Sequence, residues 1–316
     1  MGDKVATIPT LGRRKLNDTA LSNLNKFTTK YSNLEYAGIV AEFEEIQKES
    51  ATLEKPEFKA FKENAARNKD TVENCPDATR VVLTCNVPPA TDYYNGNHIR
   101  IPQLDRPFMA VQTPMKNTIN DFWRLVFQEA CSVVLLLGDT KESDTGDFWP
   151  VKAGDHTNYG DIFVNNRKVT KLDDFTVSAI EVLPDGCSNS VIANLVHYPQ
   201  WSEKEAPKEH FLAFLRCWKQ IPRTLFVDAP IAVASRMGQG RSGAVILLHA
   251  AVEAIATGKE CDLKSILKEM RKQRPFLVAT PEQYNWVIKK VILYFSMKVS
   301  EVREPLATLL KNQLPK

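Results

Sequence analysis

The chain has 316 residues, of which 43% are hydrophobic and 25% are charged, and its formal net charge is +3. This is the composition of an ordinary globular protein, and the charge is too small to argue for binding to nucleic acid or to a membrane surface. No run of 18 apolar residues occurs and the N-terminus lacks a charged and then apolar leader, so we expect neither a transmembrane helix nor a secretory signal. The six cysteines are scattered without a C-x-x-C pair, which indicates reduced thiols in a cytoplasmic or nuclear protein.

The pattern of apolar residues predicts an α/β protein with helices near its N-terminus. Residues 17–66 show helical spacing, most clearly over residues 36–47, where the apolar side chains fall on one face. The predicted face comprises Ile39, Val40, Phe43 and Ile46. Short β-like runs and one continuous apolar run then predict the strands of a sheet. We expect strands at 80–84, 98–101, 108–112, 131–137, 161–165, 174–183, 190–197 and 230–234, a helix at 118–130, and mainly helices from residue 206 onward.

No internal repeat, low-complexity block or linker interrupts the chain after residue 50, which indicates one α/β domain. We expect this domain over residues 36–298. We expect residues 1–35 to form a tail and the start of a helical extension, and residues 299–316 to form a C-terminal helix or tail.

The most informative segment of the chain is VASRMGQGRSG, residues 233–243. It follows a short apolar run and leads into a long one, residues 244–255, which predicts a strand, a glycine-rich turn and a helix. Such a turn presents backbone N–H groups to an anion at the helix N-terminus, and the Arg241 guanidinium suits two oxygens of a phosphate. The predicted anion-binding residues are Ser235, Arg236, Met237, Gly238, Gln239, Gly240 and Arg241. Arg236 has two open interpretations, since it either strengthens the positive field of the loop or points to solvent.

Seven further motifs stand in an order that resembles the domain of the protein tyrosine phosphatases, from about residue 40 to residue 298. They are DATRV at 77–81, DYYNGNHI at 92–99, QTP at 112–114, DFW at 121–123, WP at 149–150, HYPQWSE at 197–203 and EQY at 282–284. The segment at 233–243 resembles the His-Cys-x5-Arg-Ser/Thr-Gly loop of that family. The resemblance implies an α/β fold in which a central twisted mixed sheet is flanked by helices, with an N-terminal helical extension, no cofactor and no metal.

The departures from the family's pattern fall on the residues that carry its chemistry. Ser235 stands where the family has its nucleophilic cysteine, and Ala234 stands where it has the preceding histidine. A thiol titrates near about 8.5 and a helix N-terminus lowers that pKa, whereas the same field does not ionise a serine hydroxyl at neutral pH. Asp70 replaces the tyrosine that stacks on phosphotyrosine, Ala279 replaces the water-positioning glutamine, and Glu203 replaces the general-acid aspartate.

Three supporting positions of the family are retained. Glu142 aligns with a glutamate that, by the resemblance, pairs with and orients the loop arginine. Ser242 matches the hydroxyl residue that follows this arginine, and Gln283 is the surviving second glutamine of the last active-site loop. Glu203 is more simply interpreted as a solvated surface residue, because it has charged neighbours and no nucleophile to assist.

We therefore expect an inactive tyrosine-phosphatase-like protein, a pseudophosphatase that acts as a binding or scaffolding module in phosphotyrosine-type signalling. Its predicted partner is a phosphorylated or acidic protein segment, and no residue is predicted to be catalytic. We expect no nucleic-acid partner, since basic and aromatic residues are not interleaved, and no membrane partner. Two alternatives stay open. In the first alternative, the chain is a phosphatase that still hydrolyses phosphotyrosine phosphoester bonds with Glu203 and Arg241. In the second alternative, the pocket is vestigial and function lies in the N-terminal helices or in the basic tail with Lys311 and Lys316.

Overall fold

The computed structural model describes residues 16–52, 56–104, 106–142, 145–172, 175–202, 229–299 and 303–312. Its strands are β1 (Arg80–Val82), β2 (Tyr93–Ile99), β3 (Phe108–Gln112), β4 (Val133–Leu137), β5 (His156–Tyr159), β6 (Ile162–Lys171), β7 (Thr176–Pro184), β8 (Val191–Tyr198) and β9 (Ile231–Ser235). Within the described residues these nine strands form one sheet, in the order β1-β2-β3-β9-β4-β8-β7-β6-β5.

The sheet is mixed, as the family resemblance implies. Its middle strands β3, β9, β4 and β8 pair in parallel, and the outer strands add antiparallel pairs on both sides. Every predicted strand is present, although β2 begins at Tyr93 rather than at His98. The sequence does not predict β5, because its residues HTNY lie largely exposed at the sheet edge and lack the apolar alternation of a half-buried strand.

Helices cover both faces of the sheet, so that a large hydrophobic core forms on each face, and a small third cluster contains Phe61, Cys75 and Tyr93. The helices are α1 (Asp18–Ser32), α2 (Tyr36–Ala51), α3 (Lys59–Glu63), α4 (Ile119–Gln128), α5 (Gly240–Thr257), α6 (Leu263–Gln273), α7 (Pro281–Ser296) and α8 (Arg303–Asn312). Alternate residues of a strand project to opposite faces. Val233 therefore belongs to the core formed with α5, whereas Ala234 belongs to the core formed with α4. None of the helices in the described ranges has the length and apolar character needed to cross a membrane.

The N-terminal helical extension predicted from the sequence is present as α1 and α2. On the predicted face of α2, Ile39, Phe43 and Ile46 are buried, and Val40 is half-buried. These side chains join the same core as α5, α6 and α7. The extension is therefore packed against the helices that follow the glycine-rich turn, and the domain boundaries at residues 35 and 298 stay predictions.

The half-buried carboxylate of Glu42 ties this extension to α7. Oε1 of Glu42 accepts a hydrogen bond of 2.8 Å from the Tyr31 hydroxyl and one of 2.6 Å from the Tyr284 hydroxyl. Its Oε2 lies 2.8 Å from Nζ of Lys30. Burial raises the pKa of both tyrosines, so their hydroxyls stay protonated and remain donors.

The parallel strands end at one edge of the sheet, and that edge holds the candidate site. Gln112 of β3 is the register partner of Ser235 at the end of β9. Next to them, β4 ends at Leu137 and β8 ends at Tyr198, which are also register partners. In open α/β sheets, ligands bind outside the carboxyl ends of such strands.

Candidate functional site

The predicted strand, turn and helix are present as β9, residues 236–239 and α5, and the turn is closed by its own backbone. The Gly238 N–H donates to the Ser235 carbonyl over 3.0 Å, and the Gly243 N–H donates to the Gln239 carbonyl over 2.7 Å. Three backbone N–H groups of the turn have no protein acceptor among the described residues, namely those of Met237, Gln239 and Gly240. Unpaired amides in a turn that leads into a helix are the feature that binds anions in proteins.

Two glycines hold this turn tightly between its neighbours. Gly238 has a φ of +61°, and a Cβ there would lie 2.5 Å from the carbonyl carbon of Val111 in β3. A Cβ on Gly243 would lie 2.4 Å from the backbone nitrogen of Val278. Both distances are shorter than a real Cβ allows. The turn therefore packs directly against β3, and the first turn of α5 packs directly against the segment that precedes α7.

The hydroxyl of Ser235 is buried and its proton is already donated. Ser242 Oγ donates to the Val233 carbonyl over 3.0 Å, so the single Ser242 proton is used there. Ser235 Oγ lies 2.8 Å from Ser242 Oγ and must be the donor of that pair. Ser235 is 2% exposed, and no histidine or carboxylate in the described part of the chain makes a hydrogen bond to it. A serine becomes a nucleophile through an adjacent base, and the described residues around Ser235 supply none.

No described cysteine takes over the missing role at this turn. Cys75 is fully buried and its thiol contacts the Gly96 carbonyl. Burial raises the pKa of both Cys75 and Cys131, the opposite of what a reactive thiolate requires. Cys217 lies outside the described residues.

Two arginines of the turn line one small cavity at the end of β4. Arg241 is 3% exposed, and its Nη1 donates to the Trp201 carbonyl over 2.6 Å. The cavity holds about 10 Å³, which is the space of roughly one water molecule. Its lining residues are Thr113, Leu136, Leu137, Gly138, Asp139, Thr140, Phe148, Arg236 and Arg241. Arg236 and Arg241 therefore border the same cavity.

Gln283 and Ala279 lie against the first residue of α5. Gln283 is 1% exposed, and its Oε1 accepts a hydrogen bond of 2.8 Å from the Ala279 N–H. A Cβ on Gly240 would lie 2.6 Å from that same oxygen. The retained glutamine is thus placed beside the turn, as the resemblance implies, while the position of Ala279 offers only a methyl group.

The segment that carries Asp70 is attached to the end of β3. The Lys69 N–H donates to Gln112 Oε1 over 2.9 Å, and Lys69 Nζ donates to Thr113 Oγ1 over 2.6 Å. The Thr113 N–H in turn donates to the Ser235 carbonyl over 2.9 Å. Asp70 is exposed and accepts the N–H of Thr71 over 2.7 Å. An exposed carboxylate therefore follows the residue that is bonded to the end of β3, and its replacement of a stacking tyrosine stays a prediction.

Sequence reasoning missed Arg274, which holds the outer side of the turn. It is completely buried, and it donates from Nε to the Gly238 carbonyl over 2.7 Å and from Nη2 to the Met237 carbonyl over 2.9 Å. The side-chain oxygens of Asn95 and Asn97 accept its remaining bonds. These bonds hold both carbonyls toward Arg274. Because the C=O and N–H of one peptide unit point in opposite directions, the Gln239 N–H points away from Arg274. An arginine just after an amphipathic helix is normally solvated, so the sequence carries no signal for this role.

His197 supports the adjacent strand rather than the turn. Its Nε2 lies 3.0 Å from the Gly138 carbonyl, and its ring packs edge-on against Trp149. Burial lowers the pKa of His197, which keeps the ring neutral at neutral pH. The described residues contain no group of three or more histidine, cysteine or acidic side chains that would hold a metal ion.

Two of the predicted residues have side chains outside the described part of the chain. Glu142 ends a short 3-10 helix, Thr140–Glu142, which lies next to the cavity. Glu203 follows Ser202, the last described residue before residue 229. The pairing of Glu142 with the loop arginine and the degenerate acid position of Glu203 stay predictions.

Comparison with known proteins agrees with the geometry of the turn. The profile of the protein-tyrosine phosphatase family matches residues 64–293. The chain is 29% identical to human (Homo sapiens) receptor-type tyrosine-protein phosphatase epsilon over 74% of its own length and 35% of that protein's. It is 26% identical to receptor-type tyrosine-protein phosphatase eta of Gallus gallus, over 84% of its own length and 19% of that protein's. It is 27% identical to tyrosine-protein phosphatase non-receptor type 20 of Mus musculus, over 68% of its own length and 50% of that protein's.

The chain thus spans half or less of the length of each of these relatives. The matched region begins at residue 64, after α3, and ends at residue 293 in α7, so it contains the whole sheet and the glycine-rich turn. Fold, turn and profile agree, and the chain belongs to the protein-tyrosine phosphatase family.

Proposed function

We propose that this chain is a catalytically inactive member of its family, a pseudophosphatase that binds an anionic protein segment and acts as a scaffold in phosphotyrosine-type signalling in the cytoplasm. The observation that carries the proposal is the hydrogen bonding of Ser235. Its hydroxyl donates to Ser242 at 2.8 Å, and no base stands beside it among the described residues. Attack on phosphorus requires an ionised or base-assisted nucleophile, and this hydroxyl is neither.

The anion cradle supports the binding half of the proposal. The amides of Met237, Gln239 and Gly240 have no protein acceptor in the described chain, and Arg274 holds the neighbouring carbonyls away from them. Arg241 supplies a guanidinium that is oriented by the Trp201 carbonyl. Preorganised amides next to a fixed cation are suited to phosphate or carboxylate oxygens. The predicted ligand is a phosphorylated or acidic segment of another protein.

The test combines a binding assay with a hydrolysis assay on the full chain. Calorimetry with inorganic phosphate and with phosphotyrosine should show binding, and Arg241→Met should weaken it at least about tenfold, since a charge-assisted bond contributes about 1.5–3 kcal/mol. Arg167→Met is the matched control, because Arg167 pairs with Glu181 on the outer strands and lies far from the turn. The hydrolysis of p-nitrophenyl phosphate should not exceed that of the buffer.

Two results would contradict the proposal in different ways. A hydrolysis rate that disappears in Ser235→Ala would show an active phosphatase with a serine nucleophile. Equal phosphate affinity for the wild type and Arg241→Met, at unchanged stability, would show that the cradle is vestigial and that function lies elsewhere in the chain.

A further inference from the structure

We propose that Cys85 and Cys187 form a modification site, a thiol pair that hydrogen peroxide oxidises to a disulfide between two loops of the chain. The inference does not depend on the proposed function, because it involves no residue of the glycine-rich turn. Both cysteines are free thiols in the structure. Cys85 lies between β1 and β2, and Cys187 lies between β7 and β8, so the two are distant in sequence.

Asp161, in the short connection between β5 and β6, bonds to both of these loops. Its Oδ2 accepts a hydrogen bond from the side chain of Asn86, the residue that follows Cys85. Its backbone carbonyl accepts the N–H of Asp185 over 2.8 Å, at the start of the turn that carries Cys187. A single residue therefore holds the two cysteine-bearing loops side by side.

Helix α4 fixes the loop of Cys85 against Asp161. Asn120 Nδ2 donates to Asp161 Oδ1 over 2.5 Å, and Arg124 Nε donates to the Cys85 carbonyl over 2.9 Å. Residues four apart in a helix lie on one face, with Cβ atoms about 5–6 Å apart. The Cys85 N–H donates to Gln128 Oε1, one further turn along the helix, over 3.4 Å. The backbone of Cys85 is thus held on both sides and placed close to Asp161.

The two thiols also interact electrostatically. Burial raises the pKa of Cys85, and the negative charge of an ionised Cys187 raises it further. The effect of Cys187 is at least as large as that of the Asp161 carboxylate, although this carboxylate bonds the adjacent Asn86. The interaction between charges weakens with distance. The hydrogen bonds and the charges therefore agree that the two sulfur atoms are neighbours.

The two cysteines differ in exposure, and this assigns their roles. In the described part of the chain, Cys187 is the cysteine that is exposed, and residues 185–190 around it are exposed as well. Accessible thiols are the first to be oxidised. An exposed turn with few buried contacts also moves at low cost, so Cys187 is free to approach the fixed Cys85. A disulfide requires Cα atoms about 4.4–6.8 Å apart.

The oxidation proceeds in two balanced steps. The Cys187 sulfur attacks one oxygen of hydrogen peroxide, the O–O bond breaks, and the released hydroxide takes the thiol proton and leaves as water. The Cys85 sulfur then attacks the resulting sulfenic acid, the S–O bond breaks, and the hydroxide takes the Cys85 proton and leaves as a second water. Two thiols lose two electrons, and one peroxide becomes two waters. A disulfide of this kind in a reducing compartment is transient and senses oxidants.

The test is peptide mapping of the full chain by mass spectrometry, without reductant, after treatment with a small excess of hydrogen peroxide. Cys85→Ser and Cys187→Ser each remove one partner. Cys261→Ser is the matched control, because Cys261 is half-buried like Cys85 but lies between α5 and α6. Urea denaturation then compares the oxidised with the reduced wild type, which needs no substitution.

We expect one linked pair of peptides, joined through Cys85 and Cys187, in the wild type and in Cys261→Ser. Dithiothreitol should separate it, and it should be absent from the other two variants. The bond closes a loop of about 100 residues, so the urea midpoint of the oxidised wild type should rise by about 1 M.

Three results would overturn the inference. They are a bond from Cys187 to another cysteine or to a second chain, a sulfinic acid at Cys187 beside a free Cys85, and an oxidised form that is less stable than the reduced one. The last result would mean that the bond forms only when the fold is distorted. None of these results bears on the proposed function, which Arg241→Met tests separately.

Discussion

The closeness of Gly238 to β3 can be measured by comparing two glycine-to-alanine variants. Gly238 and Gly186 both have positive φ, at +61° and +78°. An alanine in this region costs about 1 kcal/mol or slightly more, at either position. The two sites differ in space, because nothing lies within 4 Å of a Cβ at Gly186, whereas a Cβ at Gly238 would lie 2.5 Å from the Val111 carbonyl carbon. Forcing atoms into packed structure adds about 1–3 kcal/mol.

We therefore expect Gly186→Ala to lower the free energy of unfolding by about 1 kcal/mol and Gly238→Ala to lower it by about 3 kcal/mol. That difference is a large part of a total stability of about 5–15 kcal/mol. Urea denaturation followed by tryptophan fluorescence measures both losses. Gly238→Ala should also weaken phosphate binding, because the turn moves away from β3. Equal losses in the two variants would refute the close approach on which the shape of the turn depends.

Three further predictions concern the chemistry of the turn, the effect of pH and the N-terminal helices. Ser235→Cys should restore a thiol that an aryl phosphate phosphorylates once, and quenched flow should show this as a burst of released phenol without further turnover. Steady turnover would contradict the loss of the water-positioning glutamine at Ala279. Burial lowers the pKa of His197 below 6.5, so the unfolded chain binds that proton more readily and stability should fall as pH drops through about 6.5. His197→Gln should flatten this fall in urea midpoints measured from pH 8 to pH 5, and an equally steep profile would exclude His197 as its source. Glu42→Ala should lower the free energy of unfolding by about 3 kcal/mol, because two buried tyrosine hydroxyls lose a charged acceptor. The control Glu35→Ala removes an exposed side chain that makes no capping bond, and it should change that free energy by less than about 0.5 kcal/mol. Similar losses of stability in the two variants would argue against the hydrogen-bond network of Glu42.

Much of the fold follows from local patterns. The period of apolar residues predicts α2 and α4, and continuous apolar runs predict β4 and β9. In each of these elements, the residues on the buried face or faces are apolar, so burial is visible in the sequence itself. β5 leaves no such pattern, since it is a largely exposed edge strand whose place in the sheet is set by pairing with β6. The turn at 236–239 was predictable from local sequence too, because glycine between a predicted strand and a predicted helix marks a turn.

The sequence by itself determined that Ser235 replaces a nucleophile, that the glycines of the turn remain, and that Arg241 follows them at the spacing of the family. Only the tertiary structure decided where the Ser235 proton goes, since that depends on Ser242 and the Val233 carbonyl. It also decided the role of Arg274, because bonds between a turn and a segment more than 30 residues away leave no periodic signal in either. Local propensity thus specifies the elements, and the hydrogen bonds between distant elements specify what the turn can hold.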